Sequence, residues 1–108
     1  MKKSRLGEFQ ELILMSVIVL KGDAYGNEIQ RHLESLLKER LSTGAIQTAL
    51  KRMEEKGFLT SQWGDATKER GGRRKRIYSA TPHAHEVLQE MRSVRDQLWQ
   101  LMPKLNTI

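Results

Sequence analysis

Between Glu11 and Lys21 lie nine consecutive positions, Leu12 to Leu20, of which only Ser16 is polar. Helical spacing puts Leu12, Ile13, Val17 and Leu20 on one side and Leu14, Met15, Ile18 and Val19 on the other, so a helix starting near Phe9 is apolar all round. Such a helix has to be covered on both sides. A chain of 108 residues buries only about two-thirds of its unfolded surface, so its own core supplies one cover and a second subunit is the economical source of the other. A central helix wrapped by its own chain is the alternative. The run is far short of the roughly 20 apolar residues of a membrane span. Glu8 and Glu11 in front of it, and Lys21-Gly22-Asp23 behind it, do not fit a signal peptide. The expectation is a soluble, unprocessed, cytoplasmic protein without membrane insertion.

Composition narrows the chemistry. The absence of cysteine removes disulfides, thiolate zinc sites and cysteine nucleophiles together. Nineteen basic against thirteen acidic residues leave a net charge of +6, which favours an anionic partner.

Three further helices and one hairpin follow. Ile29, Leu33, Leu36 and Leu37 mark an amphipathic second helix that starts near Ala24 or Tyr25, with Asn27, Gln30, Arg31 and Glu34 on its other face. Ser42 is a good N-cap for a third helix carrying Ile46, Ala49, Leu50 and Met53, and Gly57 is its C-terminal stop. A tight connection around Leu41 makes the pair a helix-turn-helix candidate. Phe58 to Trp63 and Lys75 to Ala80 alternate as strands and form a hairpin with a long, charged, glycine-bearing loop. Thr81 caps a last helix that has Pro82 at its first position. That helix carries an apolar stripe of Val87, Leu88, Met91, Val94, Leu98, Leu101 and Met102. The expected fold is mainly α with a small antiparallel β-hairpin: a winged helix-turn-helix over residues 1–80, and a C-terminal dimerisation helix over 81–108 packed as part of the same unit.

Two features carry chemistry. Lys68, Arg70, Arg73, Arg74, Lys75 and Arg76 crowd the hairpin tip, a cationic finger suited to a phosphate backbone or a minor groove. Gly71 and Gly72 let backbone approach a partner closely. The third helix turns Thr43, Gly44, Gln47, Thr48, Lys51 and Arg52 outward. A glutamine amide can pair bidentately with adenine, and threonines can bond phosphates or touch a thymine methyl. Lys51 and Arg52 would anchor the backbone. Double-stranded DNA is therefore the expected partner, with Gln47 as the base reader.

The chain resembles the PadR-like winged-helix transcriptional regulators. The resemblance is carried by Leu6-Gly7-Glu8-Phe9 with Glu11-Leu12-Ile13-Leu14, Ala24-Tyr25-Gly26, Ser42-Thr43-Gly44-Ala45-Ile46, Leu50 to Gly57, Glu69-Arg70-Gly71-Gly72-Arg73, Lys75-Arg76-Ile77-Tyr78 and Thr81. It spans nearly the whole chain and implies a homodimeric DNA-binding repressor of the short type, with a single C-terminal helix and the third helix in the major groove. It also places Tyr25, Arg70, Gly71, Gly72, Arg73, Arg74 and Lys75 at the DNA. The dimer surface it implies comprises Phe9, Leu12, Met15 and Val19 of the first helix, with Leu88, Met91, Val94, Leu98 and Leu101 of the last. Gln47 stands where such proteins usually carry tyrosine, so an operator sequence does not transfer from relatives. Some members bind flat aromatic compounds between subunits against a tryptophan of the last helix, which makes Trp99 the candidate residue for a small aromatic effector. Packing of Trp99 on Leu98 or Met102 in the seam is the reading its spacing favours. Trp63 is expected to be a packing residue.

Other classes fit less well. His32 is isolated on a polar helix face, His83 and His85 point to different sides of a helix, and neither arrangement builds a metal site. No phosphate-cradling glycine loop or nucleophile elbow occurs, so neither an enzyme nor a cofactor is expected. A protein-binding adaptor remains as the alternative, although it would not need a polar, exposed third helix.

Overall fold

The computed structural model describes residues 6–64 and 74–104, and the chain in them forms four helices and a two-stranded hairpin. The first helix, α1 (Glu8–Val19), follows Gly7 and holds Glu8 and Glu11 in its first turn, where carboxylates oppose the positive end of the helix dipole. Elements α2 (Gly26–Leu37), α3 (Thr43–Glu55) and the strand β2 (Arg76–Ala80) all pack on it. Ile13, Leu14 and Val17 are consequently buried. The division expected from spacing is corrected here: Leu14 joins Ile13 and Val17 in the core, because three elements cover a wide arc of α1. What remains outside is a strip containing Met15 (39% exposed) and Val19 (67%).

The second helix begins one or two residues later than its pattern suggests. Ala24 and Tyr25 are extended instead: the Tyr78 amide donates to the Ala24 carbonyl at 3.0 Å, and Tyr25 makes a single antiparallel bridge with Ile77. Of the apolar positions of α2, Ile29 and Leu33 are buried, whereas Leu36 and Leu37 run past the core and are exposed. The helix ends at Lys38 in a left-handed conformation (φ 58°).

The polar face of α2 braces the turn into α3. Gln30 Nε2 donates to the Leu41 carbonyl (2.9 Å), the Leu41 amide donates to Glu34 Oε2 (2.9 Å), and Thr43 Oγ1 donates to Gln30 Oε1 (3.2 Å). The amide and carbonyl of Leu41 are thus both satisfied by side chains of α2. Ser42 caps α3 through the Ala45 amide at 3.2 Å. At the other end Gly57 adopts φ 84°, a conformation that costs side-chain-bearing residues roughly 1–2 kcal/mol. Ile46, Ala49, Leu50 and Met53 bury the inner face of α3.

Strand β1 (Leu59–Trp63) pairs antiparallel with β2 in a register from Leu59–Ala80 to Trp63–Arg76. Leu59 and Tyr78 point into the core. Burial pushes the Tyr78 phenol above its ordinary pKa; the Glu54 carboxylate adds to this and Arg76 opposes it. Thr81 caps α4 (Pro82–Leu101) through the Ala84 amide, and its hydroxyl donates back to the Gly57 carbonyl at 2.7 Å. Phe58 and His83 stack with centroids 5.1 Å apart. Only the first half of α4 is seated: Ala84 and Val87 are buried, and Leu88 and Met91 pack partly against the same core.

Replacing Gln30 with alanine removes both of its bonds to the turn. The expected loss is about 1–2 kcal/mol, read as a lower urea midpoint with an unchanged slope; an unaltered midpoint would show that the brace is dispensable.

Candidate nucleic-acid interface

The α3 residues expected at DNA all lie at the surface: Thr43, Gly44, Gln47, Thr48, Lys51 and Arg52 are exposed. They are not equally available. The Thr43 hydroxyl is already spent on Gln30. Gln47 lies against the start of α2, where a Cβ added to Gly26 would stand 2.6 Å from Gln47 Nε2. Gly26 therefore gives the Gln47 side chain its room, a role that the bare Tyr25-Gly26 pair does not reveal. Phe9 and Gln10 at the start of α1 face Gly44, Ala45, Thr48 and Arg52 across a shallow groove, so the N-terminal turn of α1 flanks the exposed row.

The wing adds cations in fixed poses. Arg74 is exposed and its Nε donates to the Gly64 carbonyl at 3.2 Å. Lys75 is half-buried: Nζ donates to Asn27 Oδ1 at 2.8 Å and sits 5.6 Å from the Tyr25 ring centroid. Tyr25 and Lys75 thus form one cluster with Asn27 at the start of α2, rather than two independent contacts. Arg70, Gly71, Gly72 and Arg73 lie outside the described residues.

Arg76 belongs to the basic run, yet its place in the sequence does not single it out. Its guanidinium lies 4.7 Å over the Trp63 ring, within cation–π range. Its Nη1 donates to Ser61 Oγ at 2.8 Å, and Ser61 Oγ donates to Glu54 Oε2 at 2.7 Å. The cross-strand pairing of positions 63 and 76 is the signal that could find it. Trp63 itself corrects an expectation, since it is 53% exposed and packs on a cation instead of the core. Among the described residues, ion pairs join Arg31 to Glu28, Arg92 to Asp96 and Arg95 to Glu11. No described carboxylate forms an ion pair with Lys51, Arg52, Arg74, Lys75 or Arg76, although Arg76 reaches Glu54 through Ser61, so Lys51, Arg52 and Arg74 carry their charge at the surface.

The residues assigned to a subunit seam divide into two groups. Phe9, Leu12, Leu88 and Met91 lean partly on the chain's own core, whereas Met15, Val19, Val94, Leu98 and Leu101 are exposed. Trp99 is 74% exposed on the distal part of α4. His32 is not isolated: its Nδ1 lies 3.2 Å from the hydroxyl of the buried Ser16 and ties α2 to α1. Among the described residues no group of acidic or histidine side chains could hold a metal, and no helix is long and apolar enough to cross a membrane.

Known proteins share this arrangement. A transcriptional regulator from Clostridium thermocellum superposes with a TM-score of 0.67 at 22% identity, covering 85% of this chain and 84% of its own. A PadR family transcriptional regulator from Eggerthella lenta gives 0.64 at 20% identity, over 91% and 88%. Bacillus subtilis PadR, solved in complex with operator DNA, gives 0.61 at 19% identity, over 94% of this chain and 52% of the PadR chain. At these identities the likeness is one of fold. No curated protein sequence matches the chain. The family described as transcriptional regulator PadR-like matches residues 14–90. That match covers well over half of the sequence, from the core of α1 to the seated half of α4, and the chain belongs to the PadR-like family of transcriptional regulators.

Proposed function

We propose that this chain is a cytoplasmic, sequence-specific DNA-binding repressor that grips a near-palindromic operator as a homodimer. The observation that carries the reading is the outward charge of α3 and the wing, in which exposed Lys51, Arg52 and Arg74 flank the polar row of α3 and form no ion pair with a described carboxylate. Cations brought to a duplex release its counterions, and a polar helix beside them can read base edges in the major groove. Bacillus subtilis PadR binds operator DNA on the same fold. The exposed strip of α1 and the distal apolar half of α4 supply the surface for a second copy. Two copies would address half-sites about one helical turn, or roughly 34 Å, apart. An operator that overlaps a promoter would make the effect repression, because the bound dimer would block polymerase. An adaptor that binds protein would gain nothing from so polar a recognition helix.

A second reading of the same dimer is favoured by Trp99. An indole 74% exposed beside exposed Leu98 and Met102 offers a flat aromatic effector a stacking surface at the seam, which would make the regulator ligand-responsive.

Selecting bound fragments from the source genome tests the proposal, and a near-palindromic site should emerge. Reversing charge at Arg73 and Arg74 should weaken binding to every duplex alike and flatten the salt dependence by about 0.9 in log–log slope for each phosphate no longer neutralised. A slope equal to that of the unmodified protein would remove the wing from the interface. Gln47→Ala should change which bases are preferred. Gly26→Ala, which pushes the Gln47 amide aside, should move preference at the same operator positions. If a randomised-site selection returns one unchanged motif for both variants, Gln47 is not the base reader.

A further inference from the structure

Among the described residues Glu11 is the one buried charged side chain, on an otherwise apolar stretch of α1. Both of its oxygens are taken by one guanidinium: Arg95 Nη2 donates to Oε1 at 2.6 Å and Nη1 to Oε2 at 3.0 Å. A two-point fork of this kind fixes direction as well as distance. Its place along α4 matters more than its strength. Thr81, Ala84, Val87, Leu88 and Met91 seat the first half of the helix on the winged body, and past Arg95 the apolar residues Leu98, Trp99, Leu101 and Met102 are all exposed. Among the described residues the clasp is therefore the last tie between body and helix, about 12 Å beyond Val87 at the usual helical rise.

We propose that the Glu11–Arg95 clasp sets the angle between α4 and the winged body, and thereby the separation of the two recognition helices and the half-site spacing that the dimer accepts. The inference rests on the dimeric DNA-binding reading above. In such a dimer the distal halves of α4 are held by the partner, so the body swings against them about its seat. A swing of the body about that seat displaces α3 and so alters the separation of the two recognition helices. This one angle thus bears on the half-site spacing that the dimer accepts. Arg95 and Glu11 act as positioning residues and need not touch DNA.

The test measures binding of the full-length protein to a series of duplexes whose half-sites are separated by the selected spacing and by one or two base pairs more or fewer. The unmodified protein should discriminate between spacings by tenfold or more. Arg95→Gln and Glu11→Gln should reduce that discrimination to threefold or less while leaving affinity for an isolated half-site unchanged, and Arg95→Lys should fall between. Because the chain has no cysteine, a spin label on Thr60→Cys, an exposed position of β1, reports the distance between the two bodies in free solution. That distribution should be narrow in the unmodified dimer and broad in Arg95→Gln. An unaltered spacing preference, or a loss of affinity equal at all spacings and at the half-site, overturns the clasp's role while leaving the dimer reading intact. A complete absence of spacing dependence in the unmodified protein overturns the dimer reading and the inference with it.

Discussion

Burial of one apolar helix organises the rest of this structure. Ile13, Leu14 and Val17 of α1 form the floor on which α2, α3 and β2 rest, and each fully buried aliphatic side chain of this size contributes about 1.5–3 kcal/mol. With the floor fixed, α3 needs only its inner row of Ile46, Ala49, Leu50 and Met53 for packing. Its outer row is released from structural duty and can be polar. The hairpin is held in the same way, by Leu59 and Tyr78 at its root, which leaves the strand ends to carry charge.

Stiffness in the layer formed by α3 and the hairpin comes from polar side chains that bond to it from α2, α3 and β1. Gln30 and Glu34 hold the turn between α2 and α3, Asn27 holds Lys75, and Glu54 and Ser61 hold Arg76 over Trp63. The helical partners among these, Gln30, Glu34, Asn27 and Glu54, occupy positions that look, on a helical wheel, like ordinary solvated surface. Their effect is preorganisation, because a cation already held in one pose loses less freedom on meeting a phosphate than a free side chain would.

That distinction explains which parts are legible in the sequence. Element order, the Ser42 and Thr81 caps, the Gly57 stop and the strand pairing follow from local rules of periodicity and capping, which residues obey largely independently of their surroundings. What those rules miss is tertiary. Spacing puts Leu14 on the wrong side because periodicity cannot count how many elements cover a helix. Leu36 and Leu37 keep the apolar period of α2 going, but the helix outruns the core. Tyr25 stays outside α2 through a single bridge to Ile77, and a single bridge has no sequence period. Gly26 under Gln47 and Arg95 on Glu11 join residues far apart in the chain, and nothing in local spacing announces them, whereas Arg76 on Trp63 follows once the strand register is known. The basic run is visible as composition, whereas its division into held and outward-facing cations is set by the elements packed around it.

The central claim is that two copies of this chain present paired α3 helices and wings to one duplex. Native mass spectrometry of the complex with the selected operator tests it most directly, combined with hydroxyl-radical protection of the same duplex. The account predicts two chains per duplex and two protected half-sites one helical turn apart on one face. One chain per duplex with a single protected patch would contradict it.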